Sequence, residues 1–281
     1  MKILLILIAL LMPGATMVQA SFTGKVENID LNLKNHEMAI TFLGLSAGEA
    51  TLIQGPNGEN ILVNTGGKNT EAELVNWLAL YDVKKIQTLI LSKDVQNLAV
   101  PRLNKFISKY NIKEIISTPA NEGWLKKNID PEAQVQITVW GIGTKKTTIP
   151  DLTAEVQYVG NEPYEGLDFL LRFYKHRIFL MSSLSEKSEE TLMHKKLDGI
   201  NVFKTPNCSE EKSLSEAFIQ YLNPEISILF ASEDSYPDPK ILHDLHKTWS
   251  EVYFTKRHGT VTVKFTDSKY EAITIPIEEE E

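Results

Sequence analysis

Two kinds of apolar block alternate along this chain. Runs such as "MAITFLGL", "TLILS", "EIIS", "NVFKTP" and "EISILFAS" are short and mostly apolar, the pattern of buried strands. Between them lie stretches with a helical period. "NTEAELVNWLALYDV" puts Leu74, Trp77, Leu78 and Tyr81 on one face, with Asn69 or Thr70 as the cap. "VPRLNKFISKYN" does the same with Leu103, Phe106, Ile107 and Tyr110, and "SLSEAFIQYL" with Leu214, Phe218, Tyr221 and Leu222. "SEETLMHKKL" and "PKILHDLHKTW" read as further helices, the second with Pro239 near its start.

"ATLIQGPNGENILVNTGG" reads as a hairpin turning at Pro56–Asn57–Gly58, where Asn-Gly favours the positive φ such turns need. "LDFLLRFYKHRIFLMSS" is expected to form two strands joined near Tyr174–His176, and residues 120–165 a mixture of strand and loop. "EVYF", "GTVTVKF" and "EAITIPI" close the chain as expected antiparallel strands. Strand pairs mixed with strand–helix–strand units predict a layered α/β domain.

No repeat, linker or shift in composition divides the chain, so one domain is expected over residues 37–277. Residues 21–36 form a polar lead-in and 278–281 an acidic, solvated tail. Residues 1–20, "MKILLILIALLMPGATMVQA", have Lys2, an apolar run over Ile3–Met12, a Pro13–Gly14 break and small residues at Val18 and Ala20. This is the layout of an export signal cut after Ala20. The apolar run is half the roughly 20 residues a membrane span requires, so no stable span is expected after cleavage.

Composition narrows the function. The chain has 281 residues, 42% hydrophobic, with a net charge of −8 that becomes more negative without Lys2. Its lysine doublets are scattered rather than pooled, so nucleic acid and anionic lipid are disfavoured as partners. Cys208 is the only cysteine, which excludes an internal disulfide.

Candidate chemistry is sparse. "GLSAG" fits the G-x-S-x-G elbow with Ser46 as nucleophile, but a strand rather than a helix is expected to follow. "SEEK", Ser209 to Lys212, fits S-x-x-K without its partner motifs. Cys208 as a nucleophile would need a base that the sequence does not reveal. No glycine-rich phosphate loop occurs. His243 and His246 share a helix without a third ligand nearby, and His36, His176, His194 and His258 stand singly.

The order of the elements from about Ile40 to Ile275 resembles the metallo-β-lactamase superfamily, most closely the soluble domain of competence DNA-uptake channel proteins. "GLSAGEA" stands where that domain has D-V-G-Q-G-D-A, and "VNTGG" where it has an I-D-T-G-G-like turn. "SKDVQNL" replaces the metal motif S-H-x-D-x-D-H, Met181–Ser182–Ser183 replaces T-G-D, and "PNCSE" replaces P-H-H-G-S. Tyr236–Pro237–Asp238–Pro239 stands for Y-x-H-P.

The resemblance implies a four-layer αββα sandwich whose metal-site positions hold Asn64, Lys93, Val95, Asn97, Leu98, Ser183, Asn207, Cys208 and Asp238. Valine and leucine have no lone pairs to give, and asparagine and serine are weak zinc ligands. An ammonium about 4 Å from a dication is repelled by roughly 8 kcal/mol at an effective dielectric of 20.

The expected function is therefore that of an exported, cofactor-free pseudoenzyme that binds a protein, an envelope component or a small ligand. One alternative is a hydrolase with a rebuilt site, using Cys208 and Asp238 on a metal or Ser46 or Cys208 as nucleophile. The other is an accessory role in DNA handling.

Overall fold

The computed structural model describes residues 28–96, 98–162, 164–208, 213–230 and 237–276. The expected export signal, the 278–281 tail, Asn97, the Ser209–Lys212 motif and Tyr236 lie outside them.

One sheet is built from β1 (Met38–Phe42), β2 (Thr51–Gln54), β3 (Asn60–Val63), β4 (Thr88–Leu91), β5 (Glu114–Ser117), β6 (Gln136–Val139), β14 (Thr260–Phe265) and β15 (Tyr270–Ile275). Its spatial order is β15-β14-β1-β2-β3-β4-β5-β6. The other contains β7 (Lys145–Ile149), β8 (Leu152–Val159), β9 (Leu167–Phe173), β10 (His176–Leu180), β11 (Val202–Lys204), β12 (Ile226–Leu229) and β13 (Glu251–Phe254). Its order is β13-β12-β11-β10-β9-β8-β7. In each sheet one part is an antiparallel meander and the other, β3 to β6 or β10 to β13, is parallel.

Alternation along the strands produces the layers. In β9, Leu167, Phe169, Leu171 and Phe173 point between the sheets, into a core shared with Ile40, Phe42, Ile178 and Trp140. Leu170 points outward, beneath helices α4 (Glu186–Met193), α5 (Glu216–Leu222) and α6 (Pro239–Lys247). Helices α1 (Glu71–Leu80), α2 (Val100–Lys109) and α3 (Glu122–Asn128) cover the outer face of the first sheet through Leu74, Leu78, Leu103, Phe106 and Leu125. A single turn, α7 (Thr255–His258), joins β13 to β14. The result is the expected αββα sandwich.

The predicted hairpin is β2–β3, closed by Gly55 N–H donating to Glu59 O at 2.9 Å. Helix α1 starts after Thr70, but that hydroxyl donates back to Gly67 O at 3.0 Å rather than capping the helix. Two expectations need correction. "EVYF" is not part of an antiparallel closing group: β13 runs parallel to β12 at the edge of the other sheet, and only β14 and β15 pair as a hairpin. The 120–165 segment also holds α3, whose "EGWLKKN" is too short to display a helical period and buries only Leu125.

Candidate functional site

The carboxyl ends of β3, β4, β10 and β11 meet at one end of the sandwich, where open α/β sheets characteristically place their ligands. The two sheets touch there through backbone. Leu167 N–H donates to Ser92 O at 2.7 Å, and a Cβ on Gly166 would lie 2.2 Å from that same oxygen. Gly48, at φ +72°, lets the β1–β2 loop rest on the turn after β3; a Cβ there would lie 2.2 Å from Gly67 N. Gly66 N–H donates to Glu49 O at 3.0 Å and Gly67 N–H to Ala47 O at 2.9 Å.

This stacking delivers Glu49, 7% exposed, into the gap between the sheets. Lys204 Nζ, from β11, lies 2.5 Å from Glu49 Oε2, and Lys93 Nζ lies 3.2 Å from Oε1. Asn64 donates through Nδ2 to Glu49 Oε1 at 2.8 Å. Its Oδ1 accepts from Ser92 N–H at 2.9 Å, and Ser92 Oγ lies 2.8 Å from Ser182 Oγ across the gap. Lys204 also donates to Met181 O at 2.9 Å. Burial would raise the Glu49 pKa, but the two ammonium groups override it and hold the carboxyl down at about 2.

Asp168 lies just beneath. Its Oδ1 accepts from the amides of Ser182 and Ser183 at 2.5 and 2.9 Å, while Oδ2 is buried with no partner. Burial pushes its pKa up from 3.8 to about 6, against those amides and the nearby Lys204 charge. The folded state therefore keeps this proton to higher pH than the unfolded chain does. Stability falls as pH rises from about 4 to about 6, by roughly 2 kcal/mol. Asp168→Asn, which mimics the protonated form, is expected to flatten that dependence and to be the more stable protein at pH 8. Urea melts at pH 4, 6 and 8 check this, and a variant that is weaker at every pH would contradict it.

The positions that the resemblance assigns to metal ligands divide between the cleft and other duties. Lys93 and Asn207 line one cleft of about 770 Å³, together with Ser182, Asn121, Tyr164 and Glu162. Asn64 holds Glu49 and Ser92. Ser183 is fully buried, its Oγ accepting from Gly166 N–H at 3.0 Å. Val95 is buried in the outer core and Leu98 packs against it. Cys208 packs on the opposite outer core, and burial pushes its thiol up to about 12, so it stays protonated at neutral pH. Asp238 caps α6, accepting from Lys240 N–H at 2.9 Å.

Ser46 is exposed and donates to Glu73 Oε1 at 2.5 Å. The residues after it lead into β2, so the helix of a nucleophile elbow is absent.

A metal of the kind this fold family uses does not fit the described donor set. Two ammonium groups already converge on Glu49, and its remaining side-chain partner is the neutral amide of Asn64. Among the described residues, no three His, Cys, Asp or Glu side chains gather closely enough to hold an ion. Glu210, Glu233 and Asp234 lie outside the described residues.

Sequence reasoning missed Glu49, Lys204, Asn121 and Asp168. Lys204 did leave a signal, a lysine inside the otherwise apolar strand "NVFK". Glu49 stands where the resembling motif has its second aspartate. Asn121, which donates to Lys93 O at 2.8 Å and so holds the 92–96 loop, gave none.

The sequence matches no family model and no curated protein. Solved structures do match. YhfI of Bacillus subtilis, a metallo-β-lactamase fold protein, superposes with a TM-score of 0.60 at 13% identity, covering 82% of this chain and 100% of its own. A diphosphatase of the PhnP family gives 0.57 at 12% identity, covering 85% and 99%. Zinc-bound PqqB of Methylobacterium extorquens gives 0.53 at 11% identity, covering 80% and 99%. Superposition over 80–85% of this chain and 99–100% of each of these structures leads to one conclusion: this chain has the metallo-β-lactamase fold.

Proposed function

We propose that this protein is a binding protein built on a hydrolase fold, with an ion pair where metal-dependent relatives would hold their ions. The observation that carries the reading is the Glu49 carboxylate held by Lys204 at 2.5 Å and Lys93 at 3.2 Å. Two monovalent cations fixed on one carboxylate supply the positive charge that would otherwise come from metal. They also repel a dication, and they cannot generate a hydroxide as a bound metal does. What remains is a polar cleft without an activated nucleophile among the described side chains. The Ser46 alternative lacks the helix of a nucleophile elbow, and Cys208 is a protonated thiol packed on the outer core.

The chain is read as exported, on the pattern of its first twenty residues. Among the described residues no helix is long and apolar enough to cross a membrane. The likeness to competence channel domains is read as common ancestry rather than DNA handling, because a net charge of −8 opposes phosphate binding.

Elemental analysis of protein expressed with added zinc or manganese tests the central point. Metal well below one equivalent is expected, with no turnover of bis-p-nitrophenyl phosphate, p-nitrophenyl acetate or nitrocefin. Stoichiometric, chelator-resistant metal would overturn the reading, as would turnover that disappears in Ser46→Ala or Cys208→Ala. Mass spectrometry of the secreted product is expected to show a chain beginning at Ser21.

A further inference from the structure

The cleft beside the Glu49 cluster discriminates among ligand chemistries. Its lining carries the carboxylates of Asp94, Glu162 and Glu165, while its described cation, Lys93, is already engaged by Glu49. A phosphate or carboxylate ligand would meet a surplus of negative charge. A divalent cation would find, among the described residues, no three carboxylates gathered closely enough to hold it. An apolar ligand would cover the Asp94 and Glu162 carboxylates without pairing them.

The rest of the lining suits an uncharged molecule rich in hydroxyl or amide groups. Gln96, Asn161 and Asn207 are exposed on its walls, and each side-chain amide both donates and accepts, as a hydroxyl does. The Ser182 hydroxyl reaches the cleft from behind and keeps acceptor capacity beyond its bond to Ser92.

Tyr164 supplies a second kind of contact. It lines the same cleft, is 64% exposed, and sits at φ +70°, a backbone region that aromatic residues seldom occupy. Strained, exposed residues of this kind cluster at ligand clamps. An exposed aromatic ring can cover the C–H face of a sugar. The volume of about 770 Å³ falls within the usual range for small-molecule sites.

We infer that the cleft binds an uncharged saccharide segment, with one ring face on Tyr164 and its hydroxyl or acetamido groups on Gln96, Asn161 and Asn207. This inference rests on the cleft being a metal-free binding site, and it adds the ligand class.

The test is calorimetric titration of the full chain with N,N′,N″-triacetylchitotriose and with maltotriose, alongside a thymidine dinucleotide and inorganic phosphate. At least one saccharide is expected to bind, with an affinity indifferent to salt. The two saccharides distinguish acetamido from plain hydroxyl recognition. Tyr164→Ala should weaken binding about tenfold, Tyr164→Phe should retain it, and Asn207→Ala should weaken it by about fivefold. Melting curves matching the parent establish that each variant is folded.

Binding of neither saccharide would overturn the inference. So would saccharide binding undiminished in Tyr164→Ala, or preference for the dinucleotide. Metal content is measured separately, so a protein free of metal that ignores both sugars refutes the ligand class and leaves the metal-free cleft standing.

Discussion

Glu49→Gln should lower the unfolding free energy by about 3–5 kcal/mol, the range for removing one partner of a buried ion pair. In a chain of this size that is a fall in melting temperature on the order of 10 °C. The amide keeps the shape of the side chain but removes the counter-charge of Lys204, whose side chain is 5% exposed. Lys93, at 36%, can turn toward water, so Lys93→Met should be much milder than Glu49→Gln.

The double variant Glu49→Leu with Lys204→Met removes both buried charges and should recover much of the loss. Urea and thermal melts of these variants decide the matter. A Glu49→Gln protein as stable as its parent would remove the ion pair from the account. Acid should act in the same direction. The Glu49 contribution is complete above about pH 4.5 and is lost as the pH falls toward 2, where the folded carboxylate takes up its proton.

Gly48→Ala is expected to cost roughly 2–5 kcal/mol, combining left-handed backbone strain with overpacking. A Cβ at this position would lie 2.2 Å from Gly67 N and 2.6 Å from Gly66 C. Those are backbone atoms, so no rotamer change relieves the clash. The β1–β2 loop must lift off the turn below it, carrying Glu49 away from Lys204. Gly48→Ala and Glu49→Gln should therefore combine less than additively, since either one spoils the same contact. Additive losses would show that the loop and the ion pair act independently.

The layers of this fold were legible because burial acts on every residue of a strand or helix. Leu167, Phe169, Leu171 and Phe173 declare an inward face by alternation alone, and Leu103, Phe106 and Ile107 a helical one. Strand direction is less accessible. "EVYF" has the same apolar pattern whether it joins β14 or runs parallel beside β12, and only the three-dimensional crossover through α6 decides.

The site was legible only in part. Reading "SKDVQNL" and "PNCSE" as counterparts of a metal motif pointed to one end of the sandwich, but it could not show which of their residues face the cleft. Lys93 and Asn207 do, whereas Val95 and Cys208 have joined the outer cores. Nor could it show the buried ion pair. Glu49 and Lys204 lie 155 positions apart in sequence and meet only because the two sheets close on each other. A charge inside an apolar strand announces that a partner exists without naming it.

The Lys204–Glu49 contact joins the two sheets at their open end using only groups the polypeptide itself encodes. A clasp supplied by the polypeptide matures with folding and has nothing to surrender. Such a joint would hold in surroundings stripped of trace elements.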